Sequence, residues 1–146
     1  MACEYNYVTT QVVAEDENVL FLNGNRCCRK GLIIHNDSSG IFRLKGVSNC
    51  CKTIYKVQFN ANIAVSMGNT VAPISLALVQ NGEVLRNAVA TVTPAAAGDF
   101  FNVSIATFIE LPCGCCDTIS VQNITDGVSV DVINANIIID KEYQHA

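Results

Sequence analysis

The fold is decided by residues 55–65, which read YKVQFNANIAV. Every odd-numbered position in this stretch is hydrophobic, and the even-numbered positions from 56 to 62 are Lys, Gln, Asn and Asn. A period of two places alternate side chains on opposite faces of a β-strand. The stretch therefore predicts a long strand with one buried face and one face in contact with solvent.

Other segments with strand patterns lie on both sides of this one. Residues 74–80 are followed by Asn81-Gly82, a pair that favours a type I′ turn, and a second strand returns from residue 83 to 87. Residues 101–111 alternate in the same way, and further strands are predicted over residues 10–21, 32–44, 118–124 and 128–140. No helix is predicted. The pattern indicates an all-β domain, either a sandwich or a barrel.

Composition and charge argue against some classes of protein and favour others. The 146 residues fit one domain, half of them are hydrophobic, and 15% are charged, whereas about a quarter is usual. No apolar stretch approaches the roughly 20 residues of a membrane helix, so no membrane partner is expected. The net charge of −4 argues against a nucleic-acid partner. The excess apolar surface is expected to be covered by contact with another subunit.

The N-terminus is expected to behave differently from the rest of the domain. The first residues, MACEYNY, lack the basic and apolar regions of a secretory signal peptide. Residues 1–10 are predicted to form an arm that becomes ordered on assembly, with Cys3, Tyr5 and Tyr7 as its candidate contact residues. Residues 11–146 are predicted to form the domain itself.

Five short motifs resemble a known superfamily. They are GLIIHNDSSGIF at 31–42, YKVQF at 55–59, LALVQNGE at 76–83, DTISVQN at 117–123 and ANIII at 135–139. Over residues 31–140 the chain resembles the jelly-roll heads of the tumour necrosis factor and complement-head superfamily, including the tips of bacterial spore-surface collagen-like glycoproteins. It departs from that pattern at Cys116, where the superfamily usually has Gly, and at Cys50 and Cys51. The resemblance implies a single antiparallel jelly-roll sandwich with Greek-key topology, and a homotrimer.

A second, looser resemblance suggests a role for the chain. A jelly roll without a signal peptide and with clustered cysteines is similar to the capsid-decoration or head-fibre proteins of tailed bacteriophages. It implies a virion structural protein, made in the cytoplasm of a bacterial host, whose partners are itself and capsid or fibre proteins. The alternative is a receptor- or glycan-binding head on a spore, a cell surface or a fibre tip, with a host-surface receptor as its partner.

The eight cysteines are clustered. Besides Cys3, they occur as Cys27-Cys28, Cys50-Cys51 and the run Cys113-Gly114-Cys115-Cys116. These last three groups fall at predicted strand ends, which gather at the rims of a jelly roll. Disulfides are favoured for a particle exposed outside the cell. A structural zinc site is less favoured because the spacing is not Cys-Xaa2-Cys, and buried free thiols are the third possibility.

No residue pattern predicts an enzyme. A cysteine nucleophile would need an oriented histidine beside it, and neither His35 nor His145 is placed there by the sequence. Fingerprints for nucleotide, phosphate or zinc-protease chemistry are missing, so no catalytic residue, cofactor or metal is predicted. Five aspartates invite a calcium hypothesis, but turn capping is favoured for all of them because no Asp-Xaa-Asp-Xaa-Asp spacing occurs. They are Asp37, Asp99, Asp117, Asp126 and Asp131.

Overall fold

The computed structural model describes residues 2–23, 32–46, 52–112 and 116–142. These residues form strands and no helix. The strands are β1 (Ala2–Tyr7), β2 (Gln11–Val13), β3 (Leu22–Asn23), β4 (Ile33–His35), β5 (Phe42–Lys45), β6 (Lys52–Val65), β7 (Ile74–Gln80), β8 (Glu83–Val92), β9 (Phe101–Pro112), β10 (Cys116–Asn123) and β11 (Val130–Lys141).

The strands form two antiparallel sheets. Sheet A has the order β3-β1-β11-β6-β9, and β2 also pairs with β11. Sheet B has the order β4-β5-β10-β7-β8. Strands that are distant in sequence, such as β11 and β6 or β10 and β5, are neighbours in space, as Greek-key connections require. The predicted all-β jelly-roll sandwich is therefore confirmed.

The long strand predicted from alternation is the centre of sheet A. β6 pairs with β11 on one side and, from Lys52 to Ile63, with β9 on the other. Tyr55, Val57, Phe59 and the following odd positions are buried, while Gln58 and Asn60 are exposed. Each fully buried large side chain contributes roughly 1.5–3 kcal/mol to folding, so the two-residue period fixes which face of β6 meets the core.

The predicted hairpin is also confirmed. Asn81 and Gly82 join β7 to β8 with φ angles of 52° and 82°, and two positive values in succession are the mark of a type I′ turn. The amide oxygen of Asn81 accepts a hydrogen bond of 2.9 Å from the backbone N–H of Thr118. The turn is therefore held against β10 as well as by its own backbone.

Residues 2–7 of the predicted N-terminal arm form a strand in the single chain, and the prediction that the arm becomes ordered on assembly stays a prediction. β1 pairs residue by residue with β11, from Ala2 with Asp140 to Tyr7 with Ala135. Cys3 and Tyr5 are buried, and Tyr7 packs against the core. The reason lies in the sequence, because Cys3, Tyr5 and Tyr7 alternate with polar residues as strand residues do.

The prediction of one strand over residues 10–21 is wrong. Only β2 belongs to sheet A, and the chain then crosses to sheet B. There the backbone N–H of Asp16 donates to Asn123 at 2.9 Å, and that of Val19 donates to Val121 at 2.8 Å. This crossing segment extends sheet B beside β10 where β5 does not reach.

Aromatic side chains join the two sheets at one side of the core. Phe21 lies edge-on to Phe59 of sheet A, with ring centroids 6.1 Å apart, and 5.5 Å from Phe42 of sheet B. Tyr5 of β1 contacts Phe42 at 4.8 Å. Such pairs add about 0.5–1.5 kcal/mol each beyond the area that they bury, so β1 is part of the packed core.

Candidate interaction surfaces

The outer face of sheet A carries a broad uncharged area. Neighbouring outward-facing residues of β9, β6 and β11 form three rows across it, and we call their nine residues the amide face. They are Ala106, Gln58 and Ile138; Ser104, Asn60 and Asn136; and Asn102, Asn62 and Ile133. Protein surfaces ordinarily carry charge on about a quarter to a third of their residues, so nine adjacent positions without a charge distinguish this face.

The side chains of the amide face are organised by hydrogen bonds. The Asn102 amide nitrogen donates to the side-chain oxygen of Asn60 at 2.8 Å and to that of Asn62 at 3.1 Å. A shallow depression of about 230 Å³ lies in the middle of the face, between Gln58, Asn60, Ser104 and Asn136. The nine residues therefore form an ordered surface with a concave centre and no charged residue of their own, and the Glu4 carboxylate of β1 borders it, 3.5 Å from the Asn136 amide nitrogen.

One end of sheet A, next to the amide face, is charged and carries an exposed aromatic ring. Phe108 on the edge strand β9 is 61% exposed and lies directly across from Lys56. Lys56 is in turn opposite Asp140 of β11. Further along, the Lys52 ammonium lies 3.8 Å from a carboxylate oxygen of Glu110, in an exposed pair worth at most about 1 kcal/mol. Phe108 thus stands at the border between the uncharged area and this charged end.

A second depression lies on the outer face of sheet B. It has a volume of about 320 Å³ and is lined by Ile34, Asn36, Ser39, Ile41, Arg43 and Thr118. Arg43 lies on β5, directly between Ile34 on β4 and Thr118 on β10. None of these residues is predicted as a site from the sequence. Their meeting depends on the register of three strands, which no local pattern reveals.

The turn that forms one wall of this depression is held rigidly. The backbone N–H of Ser39 donates to Asn36 at 3.0 Å, and the His35 ring nitrogen Nε2 lies 2.7 Å from the Ser39 carbonyl oxygen. The His35 ring stacks on Phe42, with centroids 4.3 Å apart and an angle of 17° between the planes. His35 therefore supports the β4–β5 turn.

The predicted cysteine sites are only partly within the described residues. Cys27, Cys28, Cys50, Cys51, Cys113 and Cys115 lie outside them. Cys116 begins β10, is exposed and is a free thiol. Cys3 is fully buried in β1 and is not a free thiol. No disulfide joins these two, the cysteines that the structure describes.

The aspartates considered for calcium do not converge. Within the described parts of the chain, no group of three or more His, Cys, Asp or Glu side chains is placed to hold a metal ion. Two of the aspartates lie on strands, so turn capping is the wrong explanation for them. Asp117 accepts a hydrogen bond of 2.7 Å from the Gln80 side chain, and Asp131 accepts one of 2.6 Å from Ser66. Across residues 2–23, 32–46, 52–112 and 116–142, no helix has the length and apolarity to cross a bilayer.

Solved structures share this architecture along nearly the whole chain. Eiger TNF from S. frugiperda matches with a TM-score of 0.71 at 15% identity, over 100% of this chain and 94% of that one. The globular domain of zebrafish complement 1qA protein matches with a TM-score of 0.66 at 14% identity, over 99% and 98% of the two chains. The fold is the tumour necrosis factor and C1q jelly roll. Murine APRIL at pH 5.0 has the same jelly roll, with a TM-score of 0.62 at 13% identity over 96% and 99% of the chains.

The likeness to tumour necrosis factor and complement heads is therefore confirmed at the level of the fold. No protein-family model and no curated protein matches the sequence. At 13–15% identity, structural similarity establishes architecture and leaves function to be argued from the surfaces of this jelly roll. The similarity to spore-surface tips and to phage proteins stays a prediction.

Proposed function

We propose that this chain is a non-catalytic structural head that assembles with copies of itself and builds or decorates the outside of a larger particle, such as a virion. The observation that carries the proposal is the amide face, an ordered surface without charge, bordered by the 61% exposed ring of Phe108. We propose that a second copy of the chain covers this face.

The composition of the amide face supports self-association. The cores of protein interfaces are depleted in charged residues, because a charge that loses its water needs a partner in the other subunit. Gln58, Asn60, Asn102 and Ser104 can donate and accept hydrogen bonds without that cost. All four are exposed in the single chain. The Asn102 amide nitrogen is already bonded to Asn60 and Asn62, so Gln58, Ser104 and the amide nitrogen of Asn60 are the groups available to a second copy.

Phe108 is the proposed anchor of the contact. Aromatic residues dominate the energetics of interfaces when they fill a pocket on the partner. The depression of about 230 Å³ on the amide face exceeds the cavity of about 150 Å³ that takes up benzene in a protein core. We expect the ring of one copy to enter the depression of the next.

This contact joins two different surfaces, the edge of one copy and the face of the next. Such a contact generates a closed ring when the rotation between copies closes. A homotrimer is the ring that the superfamily resemblance implies. Each copy would then contribute one Phe108 and one amide face.

Two substitutions test this contact, with measurement of the oligomeric mass by light scattering. Asn60→Asp adds a charge to the amide face while its side-chain oxygen can still accept the hydrogen bond from Asn102. Phe108→Ser removes the proposed anchor. We expect the wild-type protein to have three times the mass of one chain and both variants to be monomers with unchanged circular dichroism.

Phe100→Ser is the matched control, because Phe100 is 44% exposed but precedes the opposite end of β9. We expect this variant to remain a trimer. A wild-type monomer at all accessible concentrations would contradict the proposal. Equal dissociation by Phe100→Ser and Phe108→Ser would contradict the role of Phe108.

The particle on which the head sits is proposed from the sequence resemblance to phage proteins. A net charge of −4 suits a surface component that does not contact nucleic acid. Neighbouring genes for capsid, portal and terminase proteins would support a virion role and assembly in a bacterial cytoplasm. Neighbouring sporulation or collagen-like genes would instead place the head on a spore.

The depression on sheet B favours a second candidate function, a head that binds a receptor or glycan. It lies on the sheet opposite the amide face, so a trimer formed through sheet A would leave it open. Self-assembly and ligand binding are therefore compatible in one molecule.

A further inference from the structure

We propose that the depression on sheet B binds a monosaccharide unit that carries one carboxylate group, with Arg43 holding the carboxylate. This inference rests on the second candidate function, the binding head, and names its ligand class. It does not depend on self-association.

The charge of the depression is the first argument. Arg43 is the one charged residue among those that line it. Its guanidinium makes no hydrogen bond or ion pair with another side chain in the described part of the chain. A guanidinium binds a carboxylate through two parallel hydrogen bonds, a geometry that a lysine does not offer. A single accessible Arg in an otherwise neutral depression suits a ligand with one anionic group.

The walls of the depression give the second argument. Ile34 and Ile41 are 40% and 51% exposed and lie together at the depression. They offer apolar contact to the C–H face of a sugar ring. Asn36, Ser39 and Thr118 supply amide and hydroxyl groups for its hydroxyls. This combination of apolar walls and a few polar groups is typical of small-molecule sites.

The rigidity of the depression gives the third argument. The β4–β5 turn is closed by the hydrogen bond from Ser39 to Asn36 and supported from behind by His35. Thr118 is held by Asn81, whose side chain accepts its backbone N–H at 2.9 Å. A site formed before the ligand arrives loses less conformational entropy on binding. Its volume of about 320 Å³ is at the small end of ligand sites, which favours one sugar unit.

Two other anionic ligands fit less well. Nucleic acids and sulfated polymers carry many negative charges. A protein of net charge −4 would repel them, and the depression offers one Arg to hold them. A phosphate monoester on a sugar also presents one anionic group, although its charge is about −1.5 to −2 at pH 7, so the experiment must separate it from a carboxylate.

The test uses NMR titration of the full chain with D-glucuronic acid, with D-glucose and D-glucose 6-phosphate as comparison ligands. We expect D-glucuronic acid to shift the backbone signals of Ile34, Arg43 and Thr118, and to bind at least about tenfold more tightly than glucose. Tighter binding of glucose 6-phosphate would overturn the assignment of a carboxylate. Absence of shifts at these three residues with every ligand would overturn the site.

Arg43→Gln is the decisive variant, and Arg86→Gln is its matched control. Both remove one exposed Arg, but Arg86 lies on β8, outside the depression. We expect about tenfold or greater loss of affinity for Arg43→Gln and none for Arg86→Gln. Equal losses would indicate attraction to net charge and overturn the site. Phe108→Ser should bind normally, so loss of the trimer and loss of the ligand site are distinguishable.

Discussion

The hydroxyl of Tyr55 donates a hydrogen bond of 2.7 Å to the backbone carbonyl of Lys45. The bond joins β6 of sheet A to β5 of sheet B at one end of the sandwich. The backbone N–H of Lys45 in turn donates a hydrogen bond of 2.8 Å to the carbonyl oxygen of Leu32. Tyr55 itself has no exposed surface, so one buried hydroxyl ties together three segments that are distant in sequence.

This bond predicts a loss of stability at alkaline pH. Burial raises the pKa of Tyr55 to about 12, from a value of 10.0 for an exposed tyrosine. Below pH 10 both folded and unfolded chains hold the proton, so this group adds no pH dependence. Between pH 10 and 12 the unfolded chain loses the proton first, and the free energy of unfolding should fall by about 2–3 kcal/mol. Denaturant unfolding at a series of pH values measures this fall.

Tyr55→Phe isolates the contribution of the hydroxyl. Below pH 10 we expect it to lower the free energy of unfolding by about 1 kcal/mol, because the Lys45 carbonyl loses its donor. Above pH 10 the variant should lose less stability than the wild type. Tyr7→Phe keeps Tyr55 and should retain the wild-type fall. An unchanged alkaline fall in Tyr55→Phe would show that other groups cause it.

The close surroundings of Gly40 predict that one added methyl group will destabilise the β4–β5 turn. A Cβ at this buried position would lie 2.7 Å from the Cβ of Asn18 and 2.8 Å from the carbonyl oxygen of Val19. Both distances are too short, and the second involves the backbone of the crossing segment. We expect Gly40→Ala to lower the free energy of unfolding by about 1–3 kcal/mol. Ser38→Ala in the same turn is exposed and should change it by about 0.5 kcal/mol or less.

Among the polar residues, we expect substitution of Asn123 to cause the largest fall in the free energy of unfolding. It is fully buried, and its side chain donates to the carbonyls of Val13 and Val128 at 3.0 and 2.9 Å. Its oxygen accepts the N–H of Thr125 at 3.0 Å. Asn123→Leu leaves three backbone groups without partners in the core, each costing about 1–3 kcal/mol. We expect a loss of at least about 3 kcal/mol by urea unfolding.

Asn69→Ala is a comparison for that substitution. Asn69 also bonds two backbone groups, the N–H of Ser129 at 3.1 Å and the carbonyl of Ser66 at 3.3 Å. It is only half-buried, so water can replace its side chain. We expect a loss of about 1 kcal/mol. Equal losses for Asn69→Ala and Asn123→Leu would contradict the argument from burial.

The parts of the fold that could be predicted are those encoded locally. Alternation in residues 55–65 and the Asn81-Gly82 pair each determine a structure within a few residues, and both predictions hold. β1 was missed because a short segment of alternating residues gives a weak signal. Its strand conformation depends on β11, more than 120 positions along the chain. The depression around Arg43 depends on the register of β4, β5 and β10, which is a property of the assembled sheet.

The last prediction concerns the cysteine clusters. The described residues that flank these clusters lie at one end of the sandwich. Lys52 pairs with Pro112 in sheet A, and Cys116 pairs with Lys45 in sheet B. Leu32 is bonded to Lys45. We propose disulfides among the clustered cysteines, and we expect their reduction to lower the melting temperature.

Alkylation of the native protein by iodoacetamide, followed by mass spectrometry with and without reduction, measures the state of each cysteine. Cys116 is exposed and free, so it should react without reductant. Cys3 is buried and not a free thiol, so it should react only after reduction and unfolding. If the unreduced protein, once unfolded, is alkylated at all eight cysteines, the disulfide proposal fails. Zinc found by elemental analysis in that protein would then favour the metal site instead.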